Sequence, residues 1–224
     1  MDKQDLLLTL RLAGSTTALL MVIAVPLAGW IALSKGRVRY LVEAVVALPL
    51  VLPPTVLGFY LLVGLGPHTA PGRGITALLG HTLAFSFPGL VVGSVLYSLP
   101  FAVQPLVAGL RGVDRTYLEV AATLGASPLQ QFLRVALPLA KGSLLTSAVL
   151  TFTHTVGEFG VVLMLGGSIP GQTRTLSIAL YDLVENGDFA AANHLALLLL
   201  AVSTLALLML YAAPALGRDR SHHA

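Results

Sequence analysis

Residues 119–140 read EVAATLGASPLQQFLRVALPLA, a mixed polar and apolar stretch set between two long apolar runs. It begins on Glu119, carries Gly125 in its middle and closes on Leu137-Pro138. Around its start, Val113, Tyr117, Val120, Ala121 and Leu124 recur at spacings of three and four, which lays one apolar face along a helix. Asp114 is placed to cap the first turn of that helix. Gly125 is placed to end it, because the residue just past a helix often takes a positive φ that costs glycine little. Ser127-Pro128 restarts a helix, with Ser127 as cap and Pro128 at the first position. Pro138 bends the entry to the next apolar run. The pattern predicts a short helix, a sharp turn and a second helix. Two readings fit it: an amphipathic loop lying on lipid headgroups, or a small knob that inserts into another protein.

The flanking runs set the class. The chain has 224 residues, 56% of them hydrophobic and only 10% charged, where a soluble domain carries about 25% charged residues. A membrane-crossing helix needs about 20 mostly apolar residues, and five such spans can be placed, at 12–33, 41–65, 81–109, 142–166 and 190–212. The third could start near Ile75 and bend at Pro88. The short alternating segments of a membrane β-barrel are absent. The expectation is an all-α polytopic bundle forming one domain, 1–224, with a loop at 111–140. The N-terminal MDKQDLLLTLRLAGS lacks the order of a signal peptide and reads as a short amphipathic helix leading into the first span. There is no cysteine, hence no disulfide or thiolate metal site. The net charge of +3 forms no basic cluster of the kind that binds nucleic acid.

Lysine and arginine placement orients the bundle. With the N-terminus outside, the inner segments hold Lys35, Arg37, Arg39, Arg111, Arg115, Arg134, Lys141, Arg218 and Arg220, nine in all, against four outside at Lys3, Arg11, Arg73 and Arg174. The N-terminus is therefore expected outside and the C-terminus in the cytoplasm, which puts 119–140 in the cytoplasm.

The stretch also carries a resemblance. Glu119, Ala121, Gly125, Val135 and Leu137-Pro138 keep the spacing of the "EAA" loop found in the permeases of ABC importers. Val120 stands where that motif has its first alanine, and Ala122 follows the pair. LPLVLPPTVLGFYLL (48–62), GEFG (157–160) and IPGQTRTLSIALYDLV (169–184) resemble the molybdate branch of that family, with the sulfate and thiosulfate branch as the close alternative and tungstate not separable from molybdate. The resemblance covers nearly the whole chain. It implies a homodimeric inner-membrane permease whose cytoplasmic coupling helix (Asp114, Glu119, Ala121, Ala122, Gly125, Leu137, Pro138) docks on two ATP-binding cassette subunits. A periplasmic or lipid-anchored molybdate-binding protein would sit above. ATP and Mg would be held by the ATPase, since this chain has no G-x-x-x-x-G-K-[ST] loop. Such a permease is not an enzyme and has no catalytic residue. Energy input is physically required: a potential negative inside opposes an anion by about 2.3 kcal/mol per charge per 100 mV, and a dianion by roughly twice that.

Polar residues inside the spans complete the inventory. Thr151, Thr153, His154, Thr155 and Glu158 fall in the fourth span, with His154 and Glu158 four apart and so on one helix face. Ionisable groups at that depth are costly and face a cavity or a partner. They either line the translocation path near its gate or simply hold the bundle together. A bare carboxylate suits an anion path poorly, so Glu158 is expected to be paired or at the outer mouth. Pro49, Pro53 and Pro54 interrupt the second span, as a kink or a hinge, and Thr55 adjoins them near the path. Gln172 and Arg174, in the outer segment 166–188, are candidate contacts for the binding protein, with a solvated loop as the plain alternative. His222 and His223 read as tail residues. One His and one Glu are too few to ligate a metal. An ion-coupled secondary transporter would carry repeats and interrupted helices in both halves, and no repeat is evident. A membrane scaffold would need no docking loop.

Overall fold

The computed structural model describes residues 2–218; Arg220, His222 and His223 lie outside the described residues. Among these the chain is helical, with no strand. The first helix, α1 (Lys3–Leu33), is followed by α2 (Val38–Val51), α3 (Pro54–Leu65), α4 (Ala70–Leu79) and α5 (Phe87–Arg111). Two short helices come next, α6 (Arg115–Thr123) and α7 (Pro128–Gln131), then a π-turn (Phe132–Ala136) and a single helical turn, α8 (Leu137–Leu139). The chain continues as α9 (Lys141–Gly157), α10 (Gly160–Gly166), α11 (Leu176–Glu185) and α12 (Phe189–Arg218).

Three helices, α1, α5 and α12, are long and apolar enough to cross a membrane unbroken. The α2–α3 pair makes a further crossing only as a broken helix, turned by 108° at Leu52-Pro53. The segment Pro128–Leu139 meets α9 at 73° and so lies across the bundle rather than along it. The expectation of five spans holds with both bent pairs counted, but four boundaries change. The N-terminal segment is no separate amphipathic helix: α1 starts at Lys3, with the Asp2 side chain accepting from the Gln4 N–H. The second span is a sharp break rather than a gentle kink. The third begins at Phe87, capped by Ser86, with Pro88 in its first turn where a missing N–H costs nothing. Ile75 belongs to α4. The fourth is interrupted at Glu158-Phe159.

Packing builds from α1 and α5. Leu20, Ala24, Ala28 and Ile31 of α1 meet Ala102, Val103, Leu106 and Leu110 of α5 in one core, closed by Ala136 and Ala140. Small residues one turn apart let helix backbones approach closely where water supplies no driving force. A second core joins Leu8 and Leu12 of α1 to Leu90 of α5, Val162 of α10 and Ile178 of α11. The helices thus define two ends. At one lies the helical elbow 112–140, with Arg111 making a bidentate bond to Glu43 of α2 at 3.0 and 2.7 Å. At the far end, α1 begins beside the 167–175 loop.

The far end is held by charge. Arg174 Nε donates to both carboxylate oxygens of Asp5 at 3.1 Å, and Arg174 Nη2 lies 3.0 Å from Asp5 and 3.5 Å from Asp2. The Asp5 carboxylate, beside Arg174, holds the guanidinium proton more firmly than usual. Thr9 Oγ1 accepts from the Leu176 N–H at the start of α11, at 2.9 Å. Asp5 is 4% exposed in its side chain and Arg174 25%, so the pair is more costly to break than a surface bridge. Arg174→Met, leaving Asp5 buried without its cation, is expected to destabilise by about 3 kcal/mol. Adding Asp5→Leu should recover most of that loss, as read by thermal unfolding of the detergent-solubilised chain.

Candidate functional site

The elbow is built from local chemistry. Asp114 Oδ1 accepts from the Thr116 N–H at 2.9 Å and caps α6. That bond holds the Asp114 carboxyl below its usual range. Gly125 takes φ +84°. With it, the Ala126 N–H reaches the Ala121 carbonyl and the Gly125 N–H reaches that of Ala122, a closed Schellman end. Ser127 and Gln130 satisfy each other's backbone N–H in a capping box that starts α7. The π-turn follows because Pro138 has no N–H for the Arg134 carbonyl, and the Leu137 N–H instead bonds five residues back to Phe132. The bend into α9 falls at Ala140, two residues beyond Pro138.

α6 contains no buried residue. Tyr117 is 58% exposed, Val120 54% and Leu124 83%, so three of the five positions of the apolar face predicted from the spacing are uncovered, Ala121 is half-buried, and Val113 packs with Leu118 against the core. Glu119, Ala122 and Arg115 line a cleft of about 380 Å³ between α6 and the bundle, together with Lys35 and Arg111. The elbow's anchor is Phe132, which packs against the α1–α5 core. A Cβ on Gly29 of α1 would lie 2.6 Å from the Phe132 ring, so the ring rests directly on the α1 backbone. Neither residue stood out in the sequence, because Gly29 and Phe132 are brought together only by the fold.

The second feature is a pair of helix breaks that adjoin. α2 ends before Leu52-Pro53 and α3 restarts at Pro54, while α9 ends at Gly157 and α10 restarts at Gly160. A Cβ on Gly160 would sit 2.6 Å from Pro54 Cβ, and one on Gly58 2.7 Å from Met164 Cβ. Both glycines therefore permit contact between α3 and α10. Pro53 and Thr55 lie on the exposed side of this break and Pro54 on the packed side. The exposed face continues through Val51, Phe59, Tyr60 and Val63.

The polar residues of the fourth span are placed differently from the expectation. His154 and Glu158 do not share a helix face, because Glu158 is already in extended backbone (φ −66°, ψ 130°) past the end of α9. His154 Nδ1 is 2.9 Å from Ser98 Oγ of α5, and its ring stacks on Phe101 at 3.9 Å between centroids. Thr155 Oγ1 lies 3.1 Å from the same Ser98 hydroxyl. Thr151 and Thr155 are buried. His154 and Thr155 thus join α9 to α5 within this chain, whereas the Thr151 hydroxyl has no partner among the described residues. Glu158 has no ion-pair partner among the described residues and is not at an open mouth: it is 4% exposed, and the group facing its carboxyl is the buried Ser94 hydroxyl of α5, outside good hydrogen-bond geometry. Its backbone carbonyl accepts from Ser177 Oγ of α11 at 2.5 Å, which ties the break to the far end. Arg174 is engaged by Asp5 rather than offered freely, whereas Gln172 is exposed. No group of three or more His, Asp or Glu side chains converges on a metal-sized site among the described residues.

Comparison with known proteins places this architecture. Residues 24–218 match the family of binding-protein-dependent transport system inner membrane components. The chain belongs to this family. It is a multi-pass inner-membrane permease, a transport subunit and not an enzyme. It is 52% identical to the molybdenum transport system permease protein ModB of Azotobacter vinelandii over 94% of this chain and 93% of that one. It is 34% identical to ModB of Escherichia coli strain K12, covering 82% of this chain and 80% of that one. Among solved structures, the MetNI methionine ABC transporter in an inward-facing form superposes with a TM-score of 0.73 at 18% identity, covering 94% of this permease and 96% of that chain. A bacterial alginate ABC transporter, in complex with a pentasaccharide-bound periplasmic protein, gives 0.75 at 17%, covering 96% and 78%. At those identities the likeness is one of fold.

The adjoining breaks make a direct test of the permease core. Gly160→Val drives a side chain into Pro54, and overpacking of this kind costs about 1–3 kcal/mol. Gly157→Ala, where an added Cβ meets nothing within 4 Å, is the control. The unfolding temperature of the solubilised permease is expected to fall for the first and hold for the second.

Proposed function

We propose that this permease imports molybdate, with tungstate as the nearest congener, as a homodimer driven by two copies of a separate ATP-binding cassette ATPase and fed by a molybdate-binding protein. The observation that carries the reading is α6: a capped, closed helix that rests on the bundle through Leu118 and leaves Tyr117, Val120 and Leu124 uncovered. An apolar face of this kind at the end of a membrane bundle calls for a partner protein. The EAA spacing names the ATPase as that partner, and the identity to the ModB proteins supports molybdate over sulfate. With α6 on the ATPase, the N-terminus and the 167–188 segment face outward, as the nine-to-four lysine and arginine count favours.

The path follows from the uncovered face of the broken pair. Pro53, Thr55, Phe59 and Tyr60 are exposed in the single chain, and a second copy seated there would enclose a channel between the two breaks. Thr151, His154, Thr155 and Glu158, turned toward α5, act on this reading as the packing that holds α9 while the path-facing helices move. ATP-driven movement enters at α6, crosses the Gly125–Ser127 turn and reaches α1 through Phe132 on Gly29. Alternating access then amounts to a change of angle at Leu52-Pro53 and at Glu158-Phe159, where no continuous helix resists it.

Gly125→Val forbids the φ of +84°, and Glu119→Trp fills the cleft behind α6. Both variants are expected to insert normally and retain ATP hydrolysis, with molybdate uptake reduced at least about tenfold, the loss that follows from about 1.4 kcal/mol of lost coupling. Proteoliposomes carrying permease and ATPase, supplied with binding protein, read both quantities together. Normal uptake in both variants would remove α6 from the mechanism. Stimulation of ATP hydrolysis by molybdate, tungstate and sulfate in turn identifies the anion.

A further inference from the structure

The far end holds a cleft of about 590 Å³, apart from the broken pair at Leu52-Pro53. It lies between the start of α1, α11 and the first turns of α12. Its rim carries Asp2, Asp5 and Asp182 against a single guanidinium, Arg174. Asp5 takes that guanidinium through both carboxylate oxygens, and Asp2 shares it only at 3.5 Å. Asp182 accepts from Ser168 Oγ at 2.6 Å and forms no ion pair among the described residues. The rim therefore has carboxylate to spare. Below it the wall is hydrocarbon, formed by Leu183 of α11 and by Leu195 and Leu198 of α12. Past the cleft, α12 presents Leu197, Leu200 and Leu205 uncovered.

We propose that this cleft holds a phospholipid with a primary-amine headgroup, its ammonium on Asp182 and Asp2 and an acyl chain along Leu195 and Leu198. Charge complementarity selects the occupant. A primary ammonium donates charge-assisted hydrogen bonds to carboxylates, and a quaternary ammonium has no N–H to give. An anionic headgroup meets the acidic rim and is repelled. A metal ion fits poorly, since no three carboxylate or imidazole side chains converge on one point among the described residues, and it leaves the leucine wall unfilled. The lipid's phosphodiester falls within reach of His194, also on the rim, and of Arg174, whose Nη1 makes no hydrogen bond among the described residues. Because the cleft joins the first helix, α11 and the last helix, an occupant ties α12 to the Asp5–Arg174 pair.

Native mass spectrometry of the full permease with its ATPase tests this, after exchange into phosphatidylethanolamine, phosphatidylcholine or phosphatidylglycerol. Phosphatidylethanolamine is expected to be retained in preference to the other two, at one molecule per permease chain. Asp182→Asn, which keeps an acceptor for Ser168, is expected to cut that retention about fivefold, the weight of an exposed charge pair. Glu185→Gln, one turn away and outside the cleft, should leave it unchanged. Equal retention of the three headgroups overturns the proposal, and so does an Asp182→Asn variant that retains lipid like the parent. A disulfide between copies through Leu183→Cys in native membranes also overturns it, because a second chain then fills the cleft. The headgroup comparison uses the unaltered protein and stands even if a variant fails to insert.

Discussion

In hydrocarbon an unsatisfied backbone group has no water to turn to, so a helix can stop inside a membrane only where neighbouring protein takes over its bonds. This chain stops twice, at Leu52-Pro53 and at Glu158-Phe159, and the contact of Pro54 on Gly160 brings the two stops together. Proline suits one side because it brings no N–H of its own, and the Pro53 carbonyl is taken up by the Val56 and Leu57 N–H groups. Ser177 covers the Glu158 carbonyl on the other side. Around this point α1 and α5 form an unbroken scaffold, and the polar side chains of α9 fasten it to α5. A side chain at residue 160 would separate the breaks and leave each to find partners elsewhere.

The elbow works by the same accounting at the surface. Each of its helix ends is closed by a specific bond: Asp114 and Ser127 at the starts, the Gly125 turn at the end of α6, and the π-turn where Pro138 withdraws a donor. The result is an unburied element with few loose ends, joined to the bundle through an aromatic ring seated on a glycine. On the proposed reading this face, apolar, rigidly presented and uncovered, is the one a partner protein takes, the second of the two readings the pattern first allowed.

What the sequence made legible was local. The caps, the positive φ of Gly125 and the apolar face of α6 each depend on residues within a few positions of one another, and the structure has them as read. The spans were legible from hydropathy, but where a span breaks was not. Pro53 and Pro54 flagged one break; nothing in the Glu158-Phe159 pair flags the other, which depends on Gly160 meeting a proline on a different helix. Treating 142–166 as one helix puts His154 and Glu158 on one helix face, and the early end of α9 separates them. Arg174 was read as surface because its partner, Asp5, is 169 residues away in sequence. Ser98, which receives both His154 and Thr155, was invisible for the same reason: α5 and α9 meet only in the fold.

α12 differs from its neighbours in how little of it is covered: in its membrane-crossing window only 11% of residues are buried, against 50% for α5. This sets how freely each helix can drift in evolution. Along α5, Gly93, Ser98 and Gly109 each touch a neighbour closely enough that a larger residue has nowhere to go. Along most of α12 one aliphatic residue can replace another with little consequence, so long as the stretch stays greasy. Divergence among relatives should therefore concentrate in the last helix, with its first turns, around Ala192 and Leu195, held back by the contacts they make.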